Sequence, residues 1–166
     1  MVGEGSEAQF TVGEQLAALP LPSEATVHNR ALTGEVHLDG RPSVIQIDLR
    51  RFASDQPRRD DFVRRLSSRQ PTATVTIDSI GALPEQYTAG DIVQRRVAGR
   101  LKIFDFEGPI TFAVEARLDG GQLSILGTTQ FRWADFHVAP PNVLGIVQVQ
   151  DEVHARILLV AQAAAG

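Results

Sequence analysis

Residues 110–131, ITFAVEARLDGGQLSILGTTQF, decide the fold. Ile110, Phe112, Val114, Ala116 and Leu118 alternate with Thr111, Ala113, Glu115 and Arg117. Successive side chains on a strand point to opposite faces, so this rhythm predicts a strand with one face buried and the other in water. Asp119-Gly120-Gly121 supplies the positive φ of a tight reversal, and Leu123, Ile125, Gly127, Thr129 and Phe131 resume the alternation on the returning strand. Long antiparallel strands with one apolar face need closure or a second layer. The hairpin is therefore read as the wall of a barrel or sandwich.

Outward from this hairpin the same signals predict eight strands: 8–12, 26–38, 43–50, 72–80, 91–103, 110–118, 122–131 and 146–161. Asp39-Gly40 joins the second to the third as a hairpin. Between the third and fourth strands lies one helix, 56–66, with Asp55 as its expected cap and Pro57 in its first turn. Asp60 and Asp61 stand near the positive end of its dipole. Phe62, Val63 and Leu66 form its apolar stripe, and Pro71 marks the boundary that follows. A short helical piece is expected over 13–18, ended by Pro20 and Pro22.

The fold class expected is all-β, an eight-stranded antiparallel, lipocalin-like barrel formed by residues 1–166 as a single domain. A chain of 166 residues buries roughly 70% of its unfolded surface and folds without staples. The absence of cysteine excludes disulfides and thiolate metal sites. With 16 basic and 20 acidic residues the net charge is -4, a poor electrostatic match for nucleic acid. No apolar run approaches the roughly 20 residues of a spanning helix, so no transmembrane segment is expected.

Eight strands suffice to close a barrel around one small ligand. The inward set is almost uncharged: Ile45, Ile47, Val75, Ile77, Val97, Leu101, Ile110, Phe112, Val114, Leu123, Ile125, Phe131, Val153, Ile157 and Leu159. Alternation alone leaves two readings open, a core filled by these side chains or a tunnel between them. In a tunnel, each buried CH₂ of an apolar guest would contribute roughly 0.8 kcal/mol before ordering costs. Phe62, Trp133 and Phe136 lie beyond the strands or at their ends, and are read as lining the entrance.

Arg50, Arg51, Arg58, Arg59, Arg64, Arg65 and Arg69 crowd the helix and its flanks. Asp60 and Asp61 precede Arg64 and Arg65 at pairing distance, which favours a solvated amphipathic helix. The other reading has these arginines meet a lipid phosphate or an anionic membrane surface. Arg59-Asp60 is read as fixing the helix to the barrel. His28, His37, His137 and His154 form no close pair, so no metal site is expected. Of the four, His137 is placed near the entrance, with a surface position preferred over contact with a ligand head group. No cysteine nucleophile, G-x-S-x-G elbow or phosphate loop is present, and no reaction is assigned.

An ordered set of residues adds a family resemblance. Val97, Gly99, Leu101, Ile103 and Pro109, then Asp135-Phe136, then Asp151 and Val153 are spaced as in the YceI-like family of bacterial lipid-binding barrels. Upstream, Thr33-Gly34 before Asp39, Arg59-Asp60 and Pro71 fall in the same order, so the resemblance runs from about residue 8 to about 161. Three positions depart from it. Lys102-Ile103-Phe104-Asp105 stands where Thr-x-His-Gly is common, His137 where a Gly is usual, and Val75 where an aromatic is frequent.

The resemblance implies an apolar lipid ligand, a polyisoprenoid or an isoprenoid quinone, held inside the barrel for carriage or sequestration. It implies no cofactor, and a homodimer as similar proteins form. Residues 1–7 carry none of the charged and apolar regions of a signal peptide. Because the family is mostly exported, the expectation is a mature periplasmic or extracellular protein, the alternative being cytoplasmic. Two functional alternatives remain at this stage: a filled barrel acting as a structural or protein-interaction module, and an enzyme acting on an isoprenoid.

Overall fold

The computed structural model describes residues 1–17, 19–143 and 147–162. Among them ten strands form one antiparallel sheet: β1 (Glu7–Leu16), β2 (Leu19–Asn29), β3 (Leu32–Glu35), β4 (Ser43–Asp48), β5 (Thr72–Ile77), β6 (Ile92–Ile103), β7 (Phe106–Asp119), β8 (Gln122–Arg132), β9 (Asn142–Val143) and β10 (Val147–Gln162). Nine follow a single path, β2-β1-β10-β8-β7-β6-β5-β4-β3, while the two-residue β9 pairs with β10. The helix α1 (Pro57–Leu66) lies between β4 and β5. The architecture is thus all-β, a strongly curled antiparallel sheet with one helix.

The opening stretch behaves as its rhythm requires. In β7, Ile110, Phe112, Val114 and Ala116 are buried while Thr111, Ala113, Glu115 and Arg117 are exposed. Asp119 pairs with Gln122 across a two-residue turn in which Gly120 and Gly121 have φ of 55° and 80°. A turn of that kind needs positive φ at both central residues, which glycine adopts without steric cost.

The expected eight-strand count is corrected to nine along the path, and the ladder does not close. The stretch 26–38 is two strands, because the side chain of Asn29, 1% exposed, accepts from Ala31 N at 2.7 Å and donates to Asp48 O at 2.6 Å. That local bonding turns the chain between β2 and β3. These two strands form the edges of the sheet. Among the described residues no ladder joins them; His28 of β2 exchanges paired bonds with Ala53, beyond the end of β4, at 2.8 and 2.9 Å, and Val2 N, ahead of β1, donates to Gly34 O of β3 at 3.0 Å. Gly34 has φ of 141°, and a Cβ there would stand 2.1 Å from Val44 O, so only glycine fits.

The helical piece expected over 13–18 is instead the end of β1 and its turn; Ala18 lies outside the described residues. Pro20 and Pro22, read as helix terminators, belong to β2, an edge strand where a missing N–H is tolerated. The expected strand starts at Ile146 and Asp91 become Val147 and Ile92, residue 146 being outside the described residues. At the other ends, β4 stops at Asp48 and β5 at Ile77. Residues Leu49–Arg51 wind into a 3-10 turn.

Asp48 caps that turn. Its Oδ1 accepts from Arg50 N at 3.1 Å and from Arg50 Nε at 2.9 Å, and its Oδ2 from Arg50 Nη2 at 2.9 Å. The Arg50 side chain holds the carboxyl below its ordinary value of 3.8, partial burial opposing it. A depressed folded pKa gives stability that is complete above the ordinary value and lost as pH falls through the folded one. The pair stands largely in water, which screens it and keeps its contribution small. Urea unfolding of wild type and Asp48→Asn at a series of pH values should show a gap that is full well above pH 3.8 and narrows as the pH falls through and below it.

Candidate functional site

The inward faces of the strands do two different things along the axis of the sheet. Toward the Asp119–Gln122 turn, Ile45, Ile77, Val97, Val114, Leu123 and Ile125 pack against one another, each at most 8% exposed. Toward the opposite end, where Phe104 and Asp105 turn β6 into β7, the side chains do not meet. They enclose a cavity of about 590 Å³.

Its walls come from most of the sheet. Ile47, Val75, Leu101, Ile110, Phe112 and Phe131 line it, joined by Phe62 from α1 and Trp133 from a 3-10 turn, Trp133–Phe136. Eight of the fifteen residues singled out from the sequence are thus brought together. The other seven are the six of the filled half and Phe136. The entrance reading is corrected for Phe136, which is 1% exposed, stacks edge-on against Phe131 at 5.3 Å and lies beneath Gly108. It is corrected for Trp133 too, a buried wall residue 6.4 Å from Phe10 and 6.2 Å from Phe131.

Sequence reasoning missed part of the wall. Phe10 and Val12 of β1, Ala25 and Val27 of β2, and Leu49 and Phe52 after β4 all line the cavity. The alternation Ala8, Phe10, Val12, Glu14 carried the signal for β1. Phe104 was noted only as a departure. It takes a left-handed conformation, φ 54°, in the β6–β7 turn and lines the cavity from there.

Glu14 is the inward-facing acid of β1, and α1 supplies its partner. Arg59 Nε and Nη2 meet Glu14 Oε1 and Oε2 at 3.2 and 3.0 Å, a two-pronged bond between side chains only 16% and 11% exposed. Arg59 Nη1 also reaches Asp55 Oδ1 at 2.7 Å and Ser54 Oγ at 3.2 Å. Burial works against the Arg59 charge, but its bonds to Glu14 and then Asp55 outweigh it and hold the guanidinium above its ordinary range. Asp55 therefore serves Arg59 and does not cap the helix, whose N-cap position is Gln56. Asp60 reaches back to Ser54 N at 2.8 Å and Ser54 Oγ at 2.7 Å. Arg59 and Asp60 together tie the first turn of α1 to β1 and to the segment before the helix.

Where the cavity meets solvent its rim is polar: Glu24, Asp55, Gln56 and Arg58 line it and are exposed. The histidines stand elsewhere. His28 bonds Glu7, His154 bonds Glu152 and His37 lies 3.5 Å from Glu35. His137 is exposed, with φ 53° and its ring 4.5 Å from that of Phe106. That left-handed conformation explains why a glycine is usual at its position. The turn before it is held by Asp135, accepting from Arg132 N, and by Asp151, accepting from Ala134 N, each at 3.0 Å. Among the described residues no group of three or more His, Asp or Glu is arranged to hold a metal.

Comparison with known proteins gives the same fold. A polyisoprenoid binding domain from Saccharophagus degradans, implicated in plant cell wall breakdown, superposes with a TM-score of 0.73. It is 16% identical, over 95% of this chain and 94% of that one. BcnA of Burkholderia cenocepacia superposes with a TM-score of 0.66 at 19% identity, over 93% of this chain and 96% of that one. No curated protein matches the sequence. The family model of the YceI-like domain matches residues 2–161, and the chain belongs to the YceI-like family.

Proposed function

We propose that this protein binds a long apolar molecule of the polyisoprenoid or isoprenoid-quinone type inside the curled sheet, and carries or sequesters it unchanged. The observation that carries this reading is the half-hollow interior: about 590 Å³ walled by buried aliphatic and aromatic side chains. That size falls within the range of small-molecule sites. A filled barrel, the alternative from another class, has no use for such a space. The neighbouring S. degradans domain, described as polyisoprenoid binding, supports the same ligand class. The wall residues proposed to touch the ligand are Ile47, Phe62, Val75, Leu101, Ile110, Phe112, Phe131 and Trp133. Export of the mature protein, expected from the resemblance, is part of this proposal.

Mass spectrometry of organic extracts from the purified protein tests it. The expected result is an isoprenoid lipid near one per chain, whose mass separates a quinone from a prenyl alcohol. Extracts free of isoprenoid, with no displaceable uptake of a prenyl alcohol by the extracted protein, would overturn the reading in favour of an interaction module.

A further inference from the structure

Charge is distributed unevenly around the cavity mouth. Residues 49–70 hold seven arginines and three aspartates, a net charge of +4 in a chain whose total is -4. Ion pairing absorbs only part of that excess. Arg50 bonds Asp48, Arg59 bonds Glu14 and Arg64 bonds Asp61 at 2.7 Å, whereas among the described residues Arg51, Arg58, Arg65 and Arg69 have no acidic partner. All four are exposed. Arg58 and Arg65 lie on α1 and Arg51 and Arg69 flank it; Phe62, Val63 and Leu66 of the helix line the cavity, and Leu66 is 43% exposed. Of the acids lining the cavity, Asp55 and Glu14 are bonded to Arg59, leaving Glu24 on β2 as the one without a cation among the described residues.

An exposed apolar side chain on a segment rich in unpaired arginines matches a surface that is anionic outside and apolar beneath. We infer that the α1 face of the molecule docks on an anionic lipid bilayer, with Arg51, Arg65 and Arg69 meeting phosphate head groups and the cavity mouth turned toward the membrane. The occupant is chosen by charge and by geometry. A basic patch on an acidic protein is drawn to an anionic surface, and a mouth that opens beside it lets an apolar molecule pass without crossing bulk water. The direction of transfer rests on the lipid-binding reading, whereas docking itself does not.

Sedimentation of the extracted, ligand-free protein with vesicles tests docking alone. The protein should pellet with phosphatidylglycerol–phosphatidylcholine vesicles and stay in solution with phosphatidylcholine alone. Raising salt from about 0.05 to about 0.5 M should release it. The variant R51Q/R65Q/R69Q, which leaves every cavity residue in place, should lose roughly 100-fold in partition, at about fivefold per charge. A charge-matched control on other faces, R96Q/R117Q/R156Q, should keep binding within about threefold of wild type. Uptake of a prenyl alcohol added in detergent should be unchanged in the first variant, which reports its folding and separates failure of docking from failure of lipid binding. Equal pelleting with phosphatidylcholine, salt-insensitive pelleting, no pelleting at all, or equal losses in both variants would overturn the inference. The lipid and salt arms decide the matter even for a variant that misfolds.

Discussion

Phe112→Asp should abolish cooperative folding, or leave a protein too unstable to hold a ligand. Phe112 is 4% exposed, sits opposite Val97 in the ladder, and its ring would be 3.3 Å from a Cβ placed on Gly127, so its surroundings are tight. Removing a buried phenyl ring costs about 3 to 5 kcal/mol, and an unpaired carboxylate in the same place adds several more. A domain of this size has only about 5 to 15 kcal/mol to lose. Thr111→Asp is the control. Thr111 is exposed on the outer face of the same strand, and its substitution should cost no more than about 1 kcal/mol. Urea unfolding monitored by Trp133 fluorescence separates the outcomes. The reverse order, with Thr111→Asp the more damaging, would mean that the faces of β7 are exchanged, as a one-residue slip in register would do.

The second large effect is expected at the Arg59–Glu14 pair. Arg59→Met leaves the Glu14 carboxylate, 11% exposed, without its cation, at a cost of about 2 to 4 kcal/mol. Glu14→Met should cost less, because Arg59 keeps Asp55 at 2.7 Å. The double variant should lie closer to wild type than Arg59→Met does, since replacing a buried ion pair by apolar groups is often nearly neutral. A double-mutant cycle in urea gives the coupling directly. Additive single effects would show that the two groups do not stabilise one another, and that α1 is held by its other contacts, the Asp60–Ser54 bonds and the packing of Val63.

These two sites also mark what the sequence could and could not show. The alternation around Phe112 is written in adjacent residues, because strand geometry forces neighbours to opposite faces. The faces, the Asp119–Gln122 turn, the helix and the family were therefore legible. Strand ends were less so. Asn29 divides one expected strand through bonds to Ala31 and Asp48, the latter 19 residues away, and no local pattern announces such a contact. Residues 13–18 were expected to be helical, whereas β1 runs on to Leu16 with Glu14 facing inward, and the partner that permits this, Arg59, is 45 residues downstream.

The cavity was half legible for a similar reason. Val97 and Leu101 share the inner face of β6, yet Val97 is packed in the filled half and Leu101 lines the hollow. Parity tells inside from outside, but whether opposing side chains meet depends on residues across the sheet. The wall from β1 and β2 was missed because no residue there stands out chemically; Phe10, Val12, Ala25 and Val27 are ordinary apolar residues whose role is set by where the strands curl.

The seam between β2 and β3 bears on what girth of molecule the interior admits. In a closed barrel the diameter is dictated by strand number and stagger, and cannot change without shearing a whole ladder. Among the described residues the circumference is completed by a handful of hydrogen bonds: two between His28 and Ala53, one from Asn29 Nδ2 to Asp48 O and one from Val2 N to Gly34 O. Each such bond contributes on the order of 1 kcal/mol, comparable to about one buried methylene of ligand. Circumference is thus an adjustable quantity in this protein, set by a balance between a few hydrogen bonds and the bulk of the guest.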